Sequence, residues 1–320
     1  WVVNYQDHLQ DKLSFLAGYL PNGSTFHRVF SRLDAVAFER VLGEWIQAVV
    51  PITGGEGIAL DGKTVGGSGF HLVAAFAHIA RSVLFQEGTT TKGKELVIGP
   101  KALKKIPVKD HVVTGDAIFA QKNICRLITS KQGGFVFTVK DNQKTLKEDI
   151  EEFFADEDNT GFEINKHAKI DKQKGRIEQR VVEATPELNE YIDWPGVTHA
   201  WRCIRTRIYK GKTTREVAYG IARLLDKKNP AFQLNKLIRG HWQIENRCFR
   251  QRDVVFGEDK CTVRKKNAPH IMAALRNLVT TIFHRGCVRS FTTARRRFAA
   301  KPEELFSFLG LPAYVKAYGV

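Results

Sequence analysis

Three acidic residues stand out by their settings. Asp61 follows the short apolar run "GIAL" in "GIALDGKTVGGS", Asp116 closes "HVVTGD", and Glu245 lies in "RGHWQIENRCFRQRD". Cutting a phosphodiester bond with two divalent cations, about 3.5–4 Å apart, calls for oxygen donors that activate one oxygen and stabilise the departing one. Magnesium prefers a few carboxylates, retained waters and phosphate oxygens, so histidine and cysteine ligands are not required. Aspartates ending neighbouring central strands, joined by an acid from a helix across the sheet, would supply that arrangement. Asp61 and Asp116 meet the first condition, and Glu245 is the candidate for the second.

Each acid also has a plainer reading. Asp-Gly between strands signals a tight hairpin, yet "KTVGGSG" offers one large apolar residue before glycines interrupt it, so a hairpin there fits poorly. Glu245 sits among Arg239, His241, Arg247, Arg250 and Arg252. Helical spacing puts His241, Glu245 and Arg252 near one face, where an intrahelical ion pair is the structural alternative. Asp253, Glu258 and Asp259 compete with Glu245 for the third place.

The elements that position these residues follow from the pattern. Residues 1 to 50 are helical, with a cap at Ser24 or Thr25 and Phe26, Val29, Phe30 and Leu33 at helical spacing. "GIAL", "HLVAAFAHIA" and "SVLFQEGTT" read as three consecutive strands, the middle one apolar enough to be buried on both faces. A helix over "TKGKELVIGPKALKKI", a strand ending at Asp116, a helix over "AQKNICRLITSKQ" and the strand "GFVFTVK" follow, which makes a mixed α/β sheet the natural assembly. "DNQKTLKEDIEEFFADEDN" reads as a helix with a solvated acidic end. "GRIEQRVVEA", "HAWRCIRTRIYK" and "TTREVAYGIARL" then read as strands. Helix resumes over "NPAFQLNKLIRGHWQIENRCFRQR" and over "NAPHIMAALRNLVTTIFHR", where Asn267 is the expected cap.

The expected organisation is a helical region over 1–52, a core over 53–157, a β-rich insertion over 158–225, core helices over 226–290, and a basic linker with a short helix over 291–320.

Composition narrows the partners. The formal charge is +16, and between Lys236 and Lys301 there are 16 Lys and Arg against 4 Asp and Glu. That concentration points to a polyanion, most plainly nucleic acid. The five cysteines are scattered with no CxxC pair, as expected of thiols in a reducing compartment. No run approaches the roughly 18 apolar residues of a membrane span, and no secretory pattern opens the chain. An intracellular, soluble protein is expected. The sequence begins at Trp1 and its single methionine is Met272, so further residues are expected to precede it.

"ALDGKTVGGS", "HLVAAFAH", "VTGDAIFAQKNI", "VKDNQKTL", "KGRIEQR", "RGHWQIEN" and "DVVFGEDKCTVRKKNAPHIMAALRN" occur in the order and spacing of the H-repeat-associated transposases. The chain resembles this branch of the bacterial insertion-sequence DDE transposases, and "LPNGSTFHRVFSRLD" is similar to their amino-terminal associated domain. The resemblance implies an RNase H-like core, with the β-rich segment inserted before the last catalytic helix. It further implies an acidic triad of Asp61, Asp116 and Glu245 that holds two Mg²⁺ ions, with Mn²⁺ able to substitute. The chain departs from the pattern after "IEN", where "RCFRQRDVV" replaces a Leu-His-Trp run, and at Lys174, where a histidine is common. In wider relatives a basic residue seven positions after the acid contacts DNA phosphate, which points to Arg252.

The implied activity is cutting of transposon ends and joining of the 3′-OH to target DNA. The implied partners are duplex DNA and a second copy of the chain on that DNA, in the cytoplasm and at the nucleoid, with no membrane. Lys63, Arg239, Arg247, Arg250, Arg252, Arg264, Lys265 and Lys266 are the expected phosphate contacts, each with a solvated-surface reading beside it. Trp242 either stacks on a displaced base or packs in the core. His241 either orients Glu245, binds phosphate, or is a helix-surface histidine. Asn142 and Gln143 either touch DNA near the metals or cap a helix. His71 and His78 face opposite sides of their strand and form no metal pair. Two rival readings remain: a catalytically silent DNA-binding descendant of a transposase, and a metal-dependent nuclease without strand transfer.

Overall fold

Asn22 opens helix α1 (Gly23–Arg32) by accepting the Thr25 amide on its side chain, ahead of the expected Ser24 or Thr25. Asp34 caps α2 (Ala35–Val49) in the same way. The computed structural model describes residues 3–5, 9–10, 21–66, 68–91, 93–156, 161–173 and 175–310. Expectations for Lys174, for residues 11–20 and for the end of the tail beyond residue 310 lie outside the described residues.

Strands β1 (Gly57–Val65), β2 (Phe70–Ala77) and β3 (Ser82–Thr89) form an antiparallel meander. Helix α3 (Glu95–Lys104) leads to β4 (Val112–Gly115), and α4 (Lys122–Ser130) to β5 (Gly134–Val139). β4 lies parallel to both β1 and β5. After α5 (Lys144–Ala155) come four long strands, β6 (Asn165–Gln173), β7 (Arg176–Thr185), β8 (His199–Tyr209) and β9 (Lys212–Arg223). β9 pairs with β5, so the described strands form one nine-stranded sheet in the order β3-β2-β1-β4-β5-β9-β8-β7-β6. Its first five positions, β3-β2-β1-β4-β5, are the mixed α/β sheet of an RNase H-like core.

β1 does not end at Asp61. It runs on because Gly62 and Lys63 continue the ladder opposite Val73 and Leu72, and the chain turns only among the glycines after Val65. The parallel ladder with β4 does stop there, its last pair being Leu60 and Gly115.

Period-2 alternation sorts the strand side chains into two cores. Ile58, Leu60, Val113, Phe135 and Phe137 face α3, α4 and α5, whose Leu103, Ile124 and Ile150 are wholly buried. The opposite face carries Ala59, Leu72 and Phe76, and further along Val112, Val136 and Trp201. It is covered by α6 (Pro230–His241), by π-helical turns over Ile244–Phe249 and Gln251–Val255, and by α7 (Ala268–Arg285). At the start of α7 the Asn267 side chain donates to the Leu33 carbonyl and does not cap.

The stretch expected as a linker is helix α8 (Phe291–Ala300), started by Ser290 accepting the Thr293 amide and followed by α9 (Pro302–Phe308). Phe291, Phe298 and Phe308 pack on Phe283, which gives the basic segment an apolar side to fold against. Among the described residues no helix is long and apolar enough to cross a membrane.

Candidate active site

Ala59 faces the side of the sheet covered by α6 and the π-helical turns, so Asp61, two residues on, faces it too. On β4 the same parity carries Val112, Thr114 and, one step past the strand, Asp116. Because Leu60 pairs with Gly115, the next residues along the two parallel strands are Asp61 and Asp116. Glu245 enters from the first π-helical turn, with Ile244 and Cys248 buried against the sheet and Glu245 itself exposed. The three acids line one cleft of about 370 Å³, together with Lys140, Arg180, Arg205, Arg239, His241 and Trp242.

The electrostatics report the same convergence. Burial pushes the Asp61 carboxyl up to about 7, the charge of Asp116 adds to this, the Gly62 amide opposes it, and Glu245 raises it further. Asp116 is raised mainly by burial, against the Ile118 amide and Lys140, with Glu95 adding repulsion. None of the three acids is in a salt bridge among the described residues. A site that gathers carboxylates with no ion pair of their own is disposed to accept a metal cation. No three acidic, imidazole or thiol groups among the described residues already stand close enough to form a metal cluster. The fit therefore rests on the all-oxygen donor set and on the shared field at Asp61.

Beneath the cleft, Thr114 Oγ1 lies 3.2 Å from His241 Nδ1 and 3.1 Å from His78 Nε2. Burial holds both rings neutral, His78 down at about 3 and His241 at about 4. His241 lines the cleft while its Nδ1 turns inward to Thr114. It ties α6 to the strand that presents Asp116. His71 bonds to Thr64 at 2.8 Å on the other side of β2, apart from His78 as its spacing requires.

Several expected DNA contacts are committed elsewhere. Arg252 is wholly buried, donating to Glu258 at 2.8 and 2.9 Å and to Asn277 at 3.0 Å. Regular helical spacing misplaces it because the helix widens here: the Arg250 amide bonds five residues back to Glu245, so the seventh residue on leaves Glu245's face. Lys63 is 9% exposed and bonds to both oxygens of Asp253, at 2.7 and 2.8 Å. Asp253 and Glu258, rivals for the third acid, are occupied by these pairs, and Asp259 packs beside Gly66.

Asn142 and Gln143 donate to the carbonyls of Ala117 and Ala120, bracing the turn after Asp116, and line a separate depression. Arg239 lines the cleft but is paired with Asp171 of β6. Arg247 faces another pocket. Arg250, Arg264, Lys265 and Lys266 are exposed. Trp242 is 50% exposed on the cleft wall, which overturns its core reading.

Lys140, Arg180, Arg205 and Glu95 were not foreseen. Lys140 follows β5 as Asp116 follows β4, so strand order alone could have found it. Arg180 and Arg205 depend on the β5–β9 pairing, which no local spacing encodes.

Residues 53–282 match the family described as "Transposase DDE domain". "Putative transposase YncI" of Escherichia coli O157:H7 is 30% identical over 298 residues, covering 87% of this chain and 76% of that protein. "H repeat-associated putative transposase YhhI" of Escherichia coli strain K12 is 26% identical over 296 residues, covering 87% and 78%.

Proposed function

Since the chain belongs to the DDE transposases and their H-repeat-associated branch, we propose that Asp61, Asp116 and Glu245 form the triad that cuts transposon ends and joins them to target DNA. The observation that carries this reading is that Asp61, Asp116 and Glu245, from three distant segments, line one cleft, where the other two charges add to the burial that raises the Asp61 carboxyl. Asp61, Asp116 and Glu245 would hold two Mg²⁺ or Mn²⁺ ions, which when bound would activate the attacking oxygen and stabilise the departing one.

The chain's own residues do the rest. Gly62 and Ile118 amides fix one oxygen each of Asp61 and Asp116, and so orient the carboxylates. Lys140, unpaired among the described residues, brings positive charge to the cleft that receives a phosphodiester, while Arg180 and Arg205 line it paired with Glu178 and Glu216. Trp242 offers an exposed ring for a displaced base. In the first step the oxygen of water bonds to phosphorus, the bond to the 3′ oxygen breaks, and that oxygen takes a proton. In the second step the freed 3′-OH attacks a target phosphorus and loses its proton, the bond from that phosphorus to the target's 3′ oxygen breaks, and the departing oxygen takes up a proton. Two ends must meet, so the working form is a homodimer on DNA.

The test is incubation with duplexes carrying the element's terminal repeats, in Mg²⁺ or Mn²⁺, beside Asp61→Ala, Asp116→Ala and Glu245→Ala. End-dependent cleavage and joined products from the parent alone support the proposal. Binding without cutting points to a silent DNA-binding protein, and cutting without joined products points to a nuclease. Equal activity in all four proteins rejects the triad.

A further inference from the structure

Behind the turn that carries Glu245 lies a second pocket, of about 470 Å³, walled by Arg81, Arg247, His284, Arg289 and Thr292 and sharing no lining residue with the triad's cleft. Arg247 stands two residues after Glu245, which turns it away from that acid. None of the guanidinium groups of Arg81, Arg247 and Arg289 has a carboxylate or hydrogen-bond partner among the described residues. Elsewhere Arg202, Arg205, Arg239, Arg252 and Arg276 are each paired with an acid. Burial, and then the charge of Arg81, holds Arg247 below its usual value.

Arg81, in the turn between β2 and β3, has φ of 52°, a left-handed conformation that glycine takes freely and arginine does not. Three arginines lining one pocket, close enough for Arg81 to act on the charge of Arg247, leave a place for an anion between them.

We propose that this pocket grips a backbone phosphate of duplex DNA at a point separate from the bond that is cut. Guanidinium forks match phosphate oxygens, and no carboxylate lines the pocket to compete with them. The elements that meet here also carry exposed Arg250, Arg285 and Arg296, so positive charge continues beyond the pocket as an extended polyanion requires and a small anion does not. The proposal rests on the DNA-processing reading but not on the triad's chemistry.

The test is anisotropy of a labelled duplex without terminal repeats, in the absence of divalent metal, over a series of salt concentrations. Arg81→Gly removes one guanidinium while relieving the left-handed backbone, and Arg289→Ala removes an exposed one, so the double variant is expected to melt no lower than the parent. Its DNA affinity at low salt should fall about tenfold, and its log–log salt slope should flatten by about one for each phosphate no longer neutralised. Arg289→Glu alone should move both in the same direction. Unchanged affinity and slope would overturn the proposal, as would tripolyphosphate binding that is lost in the double variant while DNA binding is not. Cutting that survives Asp61→Ala would refute the triad and leave this salt slope to decide the pocket.

Discussion

Burial holds the Asp61 carboxyl at about 7 against 3.8 for a free side chain, with Asp116 and Glu245 adding repulsion. Because the folded value is raised, protonation at this residue favours the fold. Its contribution is complete below about pH 4 and is lost as pH rises through 7. Asp61→Asn, which does not titrate, is therefore expected to raise the melting temperature of the metal-free protein at pH 8 and not at pH 4. The gain should be roughly 2–4 °C per kcal/mol relieved. Added Mg²⁺ should stabilise the parent at pH 8 and leave the variant where it was. A lower melting point for Asp61→Asn at pH 8 would contradict this account. Trp242 is a separate case: its exposed ring predicts that Trp242→Ala weakens single-strand binding by about 1–3 kcal/mol, measured by titration, with no change in melting temperature. A loss of stability with unaltered binding would return Trp242 to a packing role.

At the scale of elements, the Glu245 turn is held by what lies behind it. Glu258 is wholly buried between Arg252 and Arg276, with Lys63 of β1 3.8 Å away and also bonded to Asp253. Removing one partner of such a group strands the others, so Glu258→Ala is expected to cost about 3–5 kcal/mol in urea denaturation. Arg252→Met with Glu258→Leu and Arg276→Met should recover most of that loss and keep the DNA salt slope of the parent, because Arg252 is wholly buried. A cost under about 1 kcal/mol for Glu258→Ala would remove the strut. Further along, α6 meets the sheet where a Cβ on Gly240 would stand 2.2 Å from His78 Nδ1. Gly240→Ala should cost about 1–3 kcal/mol by denaturation and slow cutting more than it weakens DNA binding. This part of the molecule is only half legible in sequence. The acid-bearing motif around Glu245 can be read, but a spacing of 3.6 residues per turn cannot foresee the π-helical turns that bury Arg252 and turn Arg247 away.

The whole molecule shows what local pattern carries and what it does not. Alternation and apolar runs are enough to read β1 to β5 and to bring Asp61 and Asp116 to adjacent strand positions, because the side-chain period fixes both face and register. Asp61-Gly62 reads in sequence as a strand end and is not one, since a glycine that suits a turn also fits a ladder opposite Val73. The cleft's remaining wall is hidden from local pattern. Arg180 and Arg205 reach it only because β9 pairs with β5, so the β-rich segment extends the same sheet past the acids.

The charge of +16, so concentrated after Lys236, points to the class of partner but overstates how many of those side chains are free to meet it. The central claim is that three acids from distant segments hold two divalent cations together, and an anomalous difference map from crystals soaked in Mn²⁺ tests it most directly. Two peaks between Asp61, Asp116 and Glu245, with Asp61 touching both, are predicted. Mn²⁺ bound elsewhere, with these carboxylates unchanged and without density, would contradict the account.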